Sequence, residues 1–192
     1  MSIEFIDAPF VVARILGTMT EQREILAEWA NMWLSYQQSR NAQGCLIFDI
    51  DETVITRNEG EIKPMCKLYR KYRNIFPCYF VTARPDTAQS KTDTIRMLKK
   101  LDLDGYAGIH FMPEKLYRSN HVDAVLDYKF GKRCDILQQQ RAILARFGDM
   151  IWDVASVKKN KSVEELLDSR NAAIMFLPGL NGEVGVKLPS TN

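Results

Sequence analysis

Cys45-Leu46-Ile47-Phe48-Asp49-Ile50-Asp51-Glu52-Thr53-Val54 is an apolar run that ends abruptly in two carboxylates one residue apart. Bounded upstream by Gly44 and rich in large apolar side chains, it predicts a short buried strand. Such a strand belongs in the middle of a parallel sheet, where charge is expensive. Asp49 and Asp51 are therefore poor core material and good site material. Ligands of open α/β sheets bind beyond the carboxyl ends of the strands, which is where these two acids would project. To coexist there they need a cation or a proton.

Working outward, strands and helices alternate. Thr18 and Glu21 have capping-box spacing and open a helix with the apolar stripe Ile25, Leu26, Trp29, Met32, Trp33 and Tyr36. Pro64 starts a second helix that turns Met65, Leu68 and Tyr72 inward. A second strand is expected at Phe76–Thr82, then a helix capped by Asp86 with Ile95, Leu98 and Leu101 inward. A third strand is expected at Ala107–Met112 and a helix at Phe130–Gln140. Between them, Pro113–Leu126 reads as loop with a short helical turn. Ile143–Phe147 and Ala172–Leu177 complete the strands, with a short helix at Ser162–Ser169 and a Gly/Pro/Asn-rich tail. This order predicts an α/β fold, a three-layer doubly wound parallel sheet. The 192 residues fit one domain, 1–192, with an N-terminal helical extension at about 1–43.

Composition narrows the classes. Hydrophobic content of 46% and charged content of 26% are those of a globular domain, and a net charge of +2 does not by itself imply nucleic acid or membrane. The N-terminal stretch has Glu4 and Asp7 where a secretory leader is basic, and no run approaches the ~20 apolar residues of a membrane span. Four scattered cysteines (Cys45, Cys66, Cys78, Cys134) suggest buried thiols in a reducing compartment, so a cytoplasmic location is expected. With only two histidines, His110 and His121, a histidine-based metal site or triad is not expected.

Four polar clusters fall between the predicted elements. Asp49 and Asp51 follow the first strand; Thr82 and Arg84 follow the second. Lys129 lies at the start of the helix before the fourth strand, and Asp149 and Asp153 follow that strand. In a right-handed wound sheet these positions can converge on one crevice. The set DIDETV, FVTAR, YKFGKR and GDMIWD resembles the four motifs of the haloacid dehalogenase-like (HAD) phosphohydrolase superfamily, from about Cys45 to the tail. Within it, the chain is most similar to the subclass III acid phosphatases of the class B and vegetative-storage type. The Tyr128-Lys129…Arg133 pattern, the Asp–Trp placement in GDMIWD and the tail Gly185-Val186-Lys187-Leu188-Pro189 carry that closer similarity. Trp152 is displaced by one position from the subclass pattern.

The resemblance implies roles. Asp49 would attack phosphorus and form an aspartyl-phosphate, and Asp51 would act as general acid/base. Mg²⁺ would be held by Asp49, the backbone carbonyl of Asp51 and Asp149, with Asp153 in direct or water-mediated support, since an oxygen-only donor set suits that ion. Thr82 and Lys129 would bind phosphate oxygens; Arg84 would either join them or form a loop salt bridge. Neither family insertion point, Val54 to Pro77 or Arg84 to Lys129, has room for a large cap domain, so the crevice should be open. The expected activity is Mg²⁺-dependent phosphomonoester hydrolysis of a small phosphomonoester, a nucleic-acid end or a phosphoprotein. Polynucleotide-end (3′-) phosphatase activity is the alternative, prompted by the open crevice and the basic run Lys67–Arg73, which also reads as a helix with Leu68 and Tyr72 buried. A non-catalytic binding protein on the same fold is the third class.

Overall fold

The computed structural model describes residues 3–7, 11–58, 60–119, 122–154, 173–176 and 184–189. The strands are β1 (Ile3–Asp7), β2 (Val11–Ile15), β3 (Cys45–Phe48), β4 (Cys78–Pro85), β5 (Gly108–Met112), β6 (Ile143–Gly148), β7 (Ala173–Phe176) and β8 (Val184–Lys187). The helices are α1 (Met19–Ser39), α2 (Lys63–Tyr72), α3 (Ala88–Lys100), α4 (Glu114–Ser119), α5 (Val122–Gln139) and α6 (Ile151–Val154). One eight-stranded sheet runs in the order β1-β2-β7-β8-β6-β3-β4-β5. Its β8-β6-β3-β4-β5 block is all parallel, so the fold is α/β with a five-stranded parallel sheet flanked by helices.

β3 is central, and all four of its residues are buried. Alternation sends Leu46 and Phe48 into one core and Cys45 and Ile47 into another. The first core includes Leu26 of α1, Met65 and Tyr69 of α2 and Leu98 of α3; the second includes Tyr128 and Ile136 of α5. Phe48 stacks on Phe147 at 4.5 Å and meets Tyr69 edge-on at 5.4 Å, so the strand end beneath the acids is braced by rings. Cys45, Cys66 and Cys78 are buried, and none of the four cysteines forms a disulfide. Among the described residues no helix is long and apolar enough to cross a membrane.

Several expectations need correction. The sheet is mixed: β1, β2 and β7 add antiparallel pairings at one edge. Of the expected 1–43 helical extension, the helix spans only Met19–Ser39, and the residues before it supply two strands. The fifth parallel strand is Val184–Lys187, inside the expected tail, whereas Ala173–Phe176 pairs antiparallel with both neighbours. Helix α5 begins at Val122, well ahead of Phe130, and a separate α4 fills part of the expected loop. The expected helix at Ser162–Ser169 lies outside the described residues.

Faces also shift. The capping box at Thr18 and Glu21 forms, but α1 buries Leu26, Ala27, Ala30 and Leu34 and leaves Met32 and Tyr36 exposed. Small alanines let the helix approach closely, and Trp33 sits at the margin with its indole N–H donating to the Leu144 carbonyl at 3.1 Å. Thr87, not Asp86, caps α3, while Asp86 pairs with Lys91. Thr94 is buried in place of Ile95 because its hydroxyl accepts from Arg84 at 3.0 Å.

Candidate active site

Asp49 follows β3 directly, and its N–H donates to the Phe147 carbonyl at 2.9 Å, so the chain stays tied to β6 one residue past the strand. Pleating continues far enough to keep Ile50 in the core. The Ile50 carbonyl then accepts from the amides of Thr53, Val54 and Ile55, at 3.3, 3.0 and 3.2 Å. This tight turn forces Glu52 to a positive φ of 53°. A short hairpin follows, closed by Ile62 N–H to the Val54 carbonyl and Thr56 N–H to the Gly60 carbonyl. It occupies the first insertion point; between Arg84 and Lys129 lie α3, β5, α4 and the start of α5, with no cap domain among the described residues.

Asp149 follows β6, and Asp153 sits on α6. Asp153 folds back over Gly148, where an added Cβ would fall 2.1 Å from the Asp153 Cβ, so only glycine permits the approach. The Met150 N–H donates to Asp153 Oδ2 at 3.2 Å and fixes the carboxylate. Carboxylate oxygens of Asp49, Asp149 and Asp153 all lie within 4.8 Å of one another, and all three residues are buried. Such a triad can hold a metal ion, and its all-oxygen donors fit a hard divalent cation. Lys129 reaches it from the middle of α5 rather than from a helix start. Only 3% exposed, its Nζ pairs with Asp153 Oδ1 and lies 3.1 Å from Asp49 Oδ1. Beyond that ion pair, the buried Asp49 oxygen has no hydrogen bond among the described residues, which also suits a metal ligand.

Burial pushes the Asp49 carboxyl well above the usual range; Lys129 opposes this, while Asp153, Asp149 and Asp51 add to it. Asp149 is pushed up to about 7, first by burial and then by Asp153. Burial works against the Lys129 charge, but Asp153 and Asp49 outweigh it and hold the ammonium above its ordinary value. Three buried carboxylates are too many for one lysine, so the site calls for a proton or a further cation.

A second lysine that the sequence reading left without a role lies close by. Lys187 ends β8 in register with Gly148, and the Leu188 N–H donates to the Gly148 carbonyl at 2.7 Å. It is 1% exposed, and burial lowers it to about 8 although Asp149 and Asp153 pull the other way. The signal was present: a lone cation ending an apolar segment, by the same logic that exposed Asp49. Tyr128 was likewise missed as a site residue. Its buried hydroxyl has no hydrogen-bond partner among the described residues, and its acidity is depressed by burial first and also by Asp86 and Asp49.

Asp51 stands apart from the triad. Its carboxylate is 51% exposed, and both oxygens are held by Arg84, at 3.0 Å from Nε and 2.8 Å from Nη2. Of the two roles weighed for Arg84, the structure has the salt bridge. Thr82 is fully buried on β4, its hydroxyl accepting the Arg84 N–H at 3.2 Å. The basic run on α2 is largely committed. Arg70 pairs with Glu61 and Asp102, Arg73 with Asp102 and Asp104, and Lys71 donates to Asn31, while Leu68, Tyr69 and Tyr72 are buried. The basic segment Lys158–Lys161 lies outside the described residues. No family model matches the chain, and no curated protein or solved structure matches it significantly.

The shifted groups set a pH dependence. Asp149, at about 7 folded against an ordinary 3.8, holds its proton more tightly folded than unfolded. Its contribution to metal-free stability is therefore complete at low pH and is lost as pH rises from about 4 to about 7. Lys187 acts oppositely higher up, restoring stability as pH rises from about 8 toward 10.5. A metal must displace the carboxyl protons, so the rise in melting temperature on adding Mg²⁺ should be larger at pH 8 than at pH 5. Thermal melts with Mg²⁺ and with EDTA at both pH values check this; an equal rise at both would count against a carboxylate metal site.

Proposed function

We propose that the chain is a Mg²⁺-dependent phosphomonoester hydrolase of the HAD-like type, with a doubly wound core and an aspartyl-phosphate formed on Asp49. The observation that carries this reading is the clustering of Asp49, Asp149 and Asp153 beyond the carboxyl ends of β3 and β6, with Lys129 paired to Asp49 and Asp153. A chemically inert carboxylate cluster would not need to be buried, where each charge is costly. When bound by Asp49, Asp149 and Asp153, Mg²⁺ would offset phosphate charge and orient the group for in-line attack.

The chain's own residues then divide the work. Asp49 presents a carboxylate oxygen to phosphorus, and the bond to the leaving oxygen breaks as the Asp49–phosphorus bond forms. Lys129, already bound to Asp49 and Asp153, holds the nucleophile in place and supplies positive charge toward the phosphoryl oxygens. Thr82 accepts from the Arg84 amide and so keeps its hydroxyl proton for a phosphate oxygen. Asp51, at the exposed mouth, protonates the leaving oxygen and then takes a proton from the water that hydrolyses the acyl phosphate. For this Arg84 must release one of the two Asp51 oxygens it grips.

The purified chain should hydrolyse an aryl phosphate with Mg²⁺ and stop in EDTA; equal rates would remove the metal from the reaction. Asp51→Asn should lower kcat for an alkyl phosphate by ~10²–10⁴-fold. The single-turnover burst of leaving group, which precedes the water deprotonation shared by both substrates, should fall much less for p-nitrophenyl phosphate, whose leaving group departs without a proton. An equal fall in burst rate on both substrates would take the acid role from Asp51. With Arg70 and Arg73 ion-paired and Lys71 donating to Asn31, most of the basic run Lys67–Arg73 is already engaged, so a small phosphomonoester is the proposed substrate. A marked preference for a 3′-phosphorylated oligonucleotide over a nucleoside monophosphate would reverse that choice.

A further inference from the structure

Glu52 is the residue hardest to account for by folding alone. It sits in the left-handed region, φ 53°, where a side chain is strained and glycine would be at ease. It is also an acid buried to 4% exposure. Strain and a buried charge at one position persist only where surrounding contacts over-determine them. Two of those contacts reach Glu52 from different elements, and one of the two partners is itself tied further along the chain. Arg23, on α1, donates from Nη2 to Glu52 Oε2 at 3.2 Å. The Arg57 N–H, in the hairpin beyond the turn, donates to Glu52 Oε1 at 2.8 Å. The same Arg23 nitrogen donates to the Pro189 carbonyl, just past β8, at 3.1 Å.

We infer that Arg23 and Glu52 form a positioning pair through which α1 becomes a working part of the site. The pair clamps the turn that carries Asp51 and ties that turn to the end of β8, next to Lys187. α1 is thus more than an extension packed against the sheet. The turn's other anchors are the Ile50 carbonyl on which its amides converge, the Arg84 grip on Asp51 and the core packing of Val54 and Ile55; the buried Thr53 hydroxyl makes no hydrogen bond among the described residues. Without Arg23, the buried Glu52 carboxylate loses an ion-pair partner, which favours opening the turn toward water. Opening it displaces Asp51 relative to Asp49, and geometry at that scale governs rate more than binding.

The catalytic consequence rests on the phosphohydrolase reading; the clamp itself does not. Arg23→Met and Glu52→Gly should each lower kcat on an alkyl phosphate about tenfold or more with KM within about twofold. The double variant should fall within about twofold of the worse single one, as expected for two halves of one contact. Arg23→Lys, which keeps the charge, should recover part of the rate. Hydrogen exchange is read in parallel, because it needs no substrate: Val54, Ile55 and Arg57 amides should exchange faster in Arg23→Met and Glu52→Gln. Should the wild type hydrolyse no phosphomonoester, the phosphohydrolase reading fails and exchange alone decides the clamp. Unchanged exchange at these amides, or additive losses in the double variant, overturns the inference. Should Arg23→Met not fold, Arg23→Lys and Glu52→Gln carry the same comparison.

Discussion

Replacing Lys129 by methionine should lower the melting temperature of the metal-free protein by about 6–20 °C, the equivalent of ~3–5 kcal/mol in a chain of this size. Lys129 is 3% exposed and is the cation that Asp49 and Asp153 both contact. Methionine fills similar space, so packing loss is secondary; the loss comes from leaving buried carboxylates without their ammonium. They can respond in two ways, and each is measurable. Protonation relieves the charge at low pH, so the deficit relative to wild type should shrink from pH 8 to pH 5. A divalent cation relieves it at neutral pH, so Mg²⁺ should raise the variant's melting temperature more than that of the wild type. Hydrolysis should stay lost even where Mg²⁺ restores stability, because the charge facing the phosphoryl oxygens is gone. A variant melting within about 2 °C of wild type in EDTA at pH 8 would mean that the buried pair matters little.

Asp49→Asn should do the reverse on stability while removing the activity. An amide carries no charge to desolvate, and it relieves the repulsion from Asp149 and Asp153 that helps hold the Asp49 carboxyl so high. Lys129 keeps Asp153 as its partner. The metal-free variant should therefore melt at or above the wild-type temperature at pH 8, with a smaller gain on adding Mg²⁺. Its kcat should fall on the order of 10⁴-fold or more if Asp49 is the nucleophile. Activity equal to wild type would eliminate the covalent route; activity lost together with stability would make Asp49 a structural residue. Lys129→Met and Asp49→Asn thus separate charge balance from chemistry, since both abolish turnover while moving the melting temperature in opposite directions.

Much of the parallel block was legible because burial leaves a composition that can be read directly. Cys45–Phe48 had to be central, since nothing in it tolerates water, and Pro64 and the Thr18–Glu21 box marked real helix starts. The antiparallel edge was not. Ile3–Asp7 and Val11–Ile15 are five-residue segments containing charge, and their strand character depends on β7 arriving from far along the chain. β8 escaped for a related reason: Val184-Gly185-Val186-Lys187 is short and holds glycine and lysine, and pairing with β6 outweighs that local weakness.

At the site, a charged residue ending an apolar strand is costly wherever the strand pairs, so Asp49 and the acids after β6 were visible in one dimension. Partnership is another matter. That Lys129 lies between Asp49 and Asp153 while Arg84 takes both oxygens of Asp51 follows from where α5 crosses the sheet and from β4 lying beside β3. Arg23 meeting Glu52 depends on the packing of α1 against a turn 29 residues away. Local chemistry marks which groups cannot be idle, because desolvation cost is a property of each residue and its neighbours in the chain. Which group neutralises which is a matter of a few ångströms across the sheet, and those distances exist only once the chain has folded.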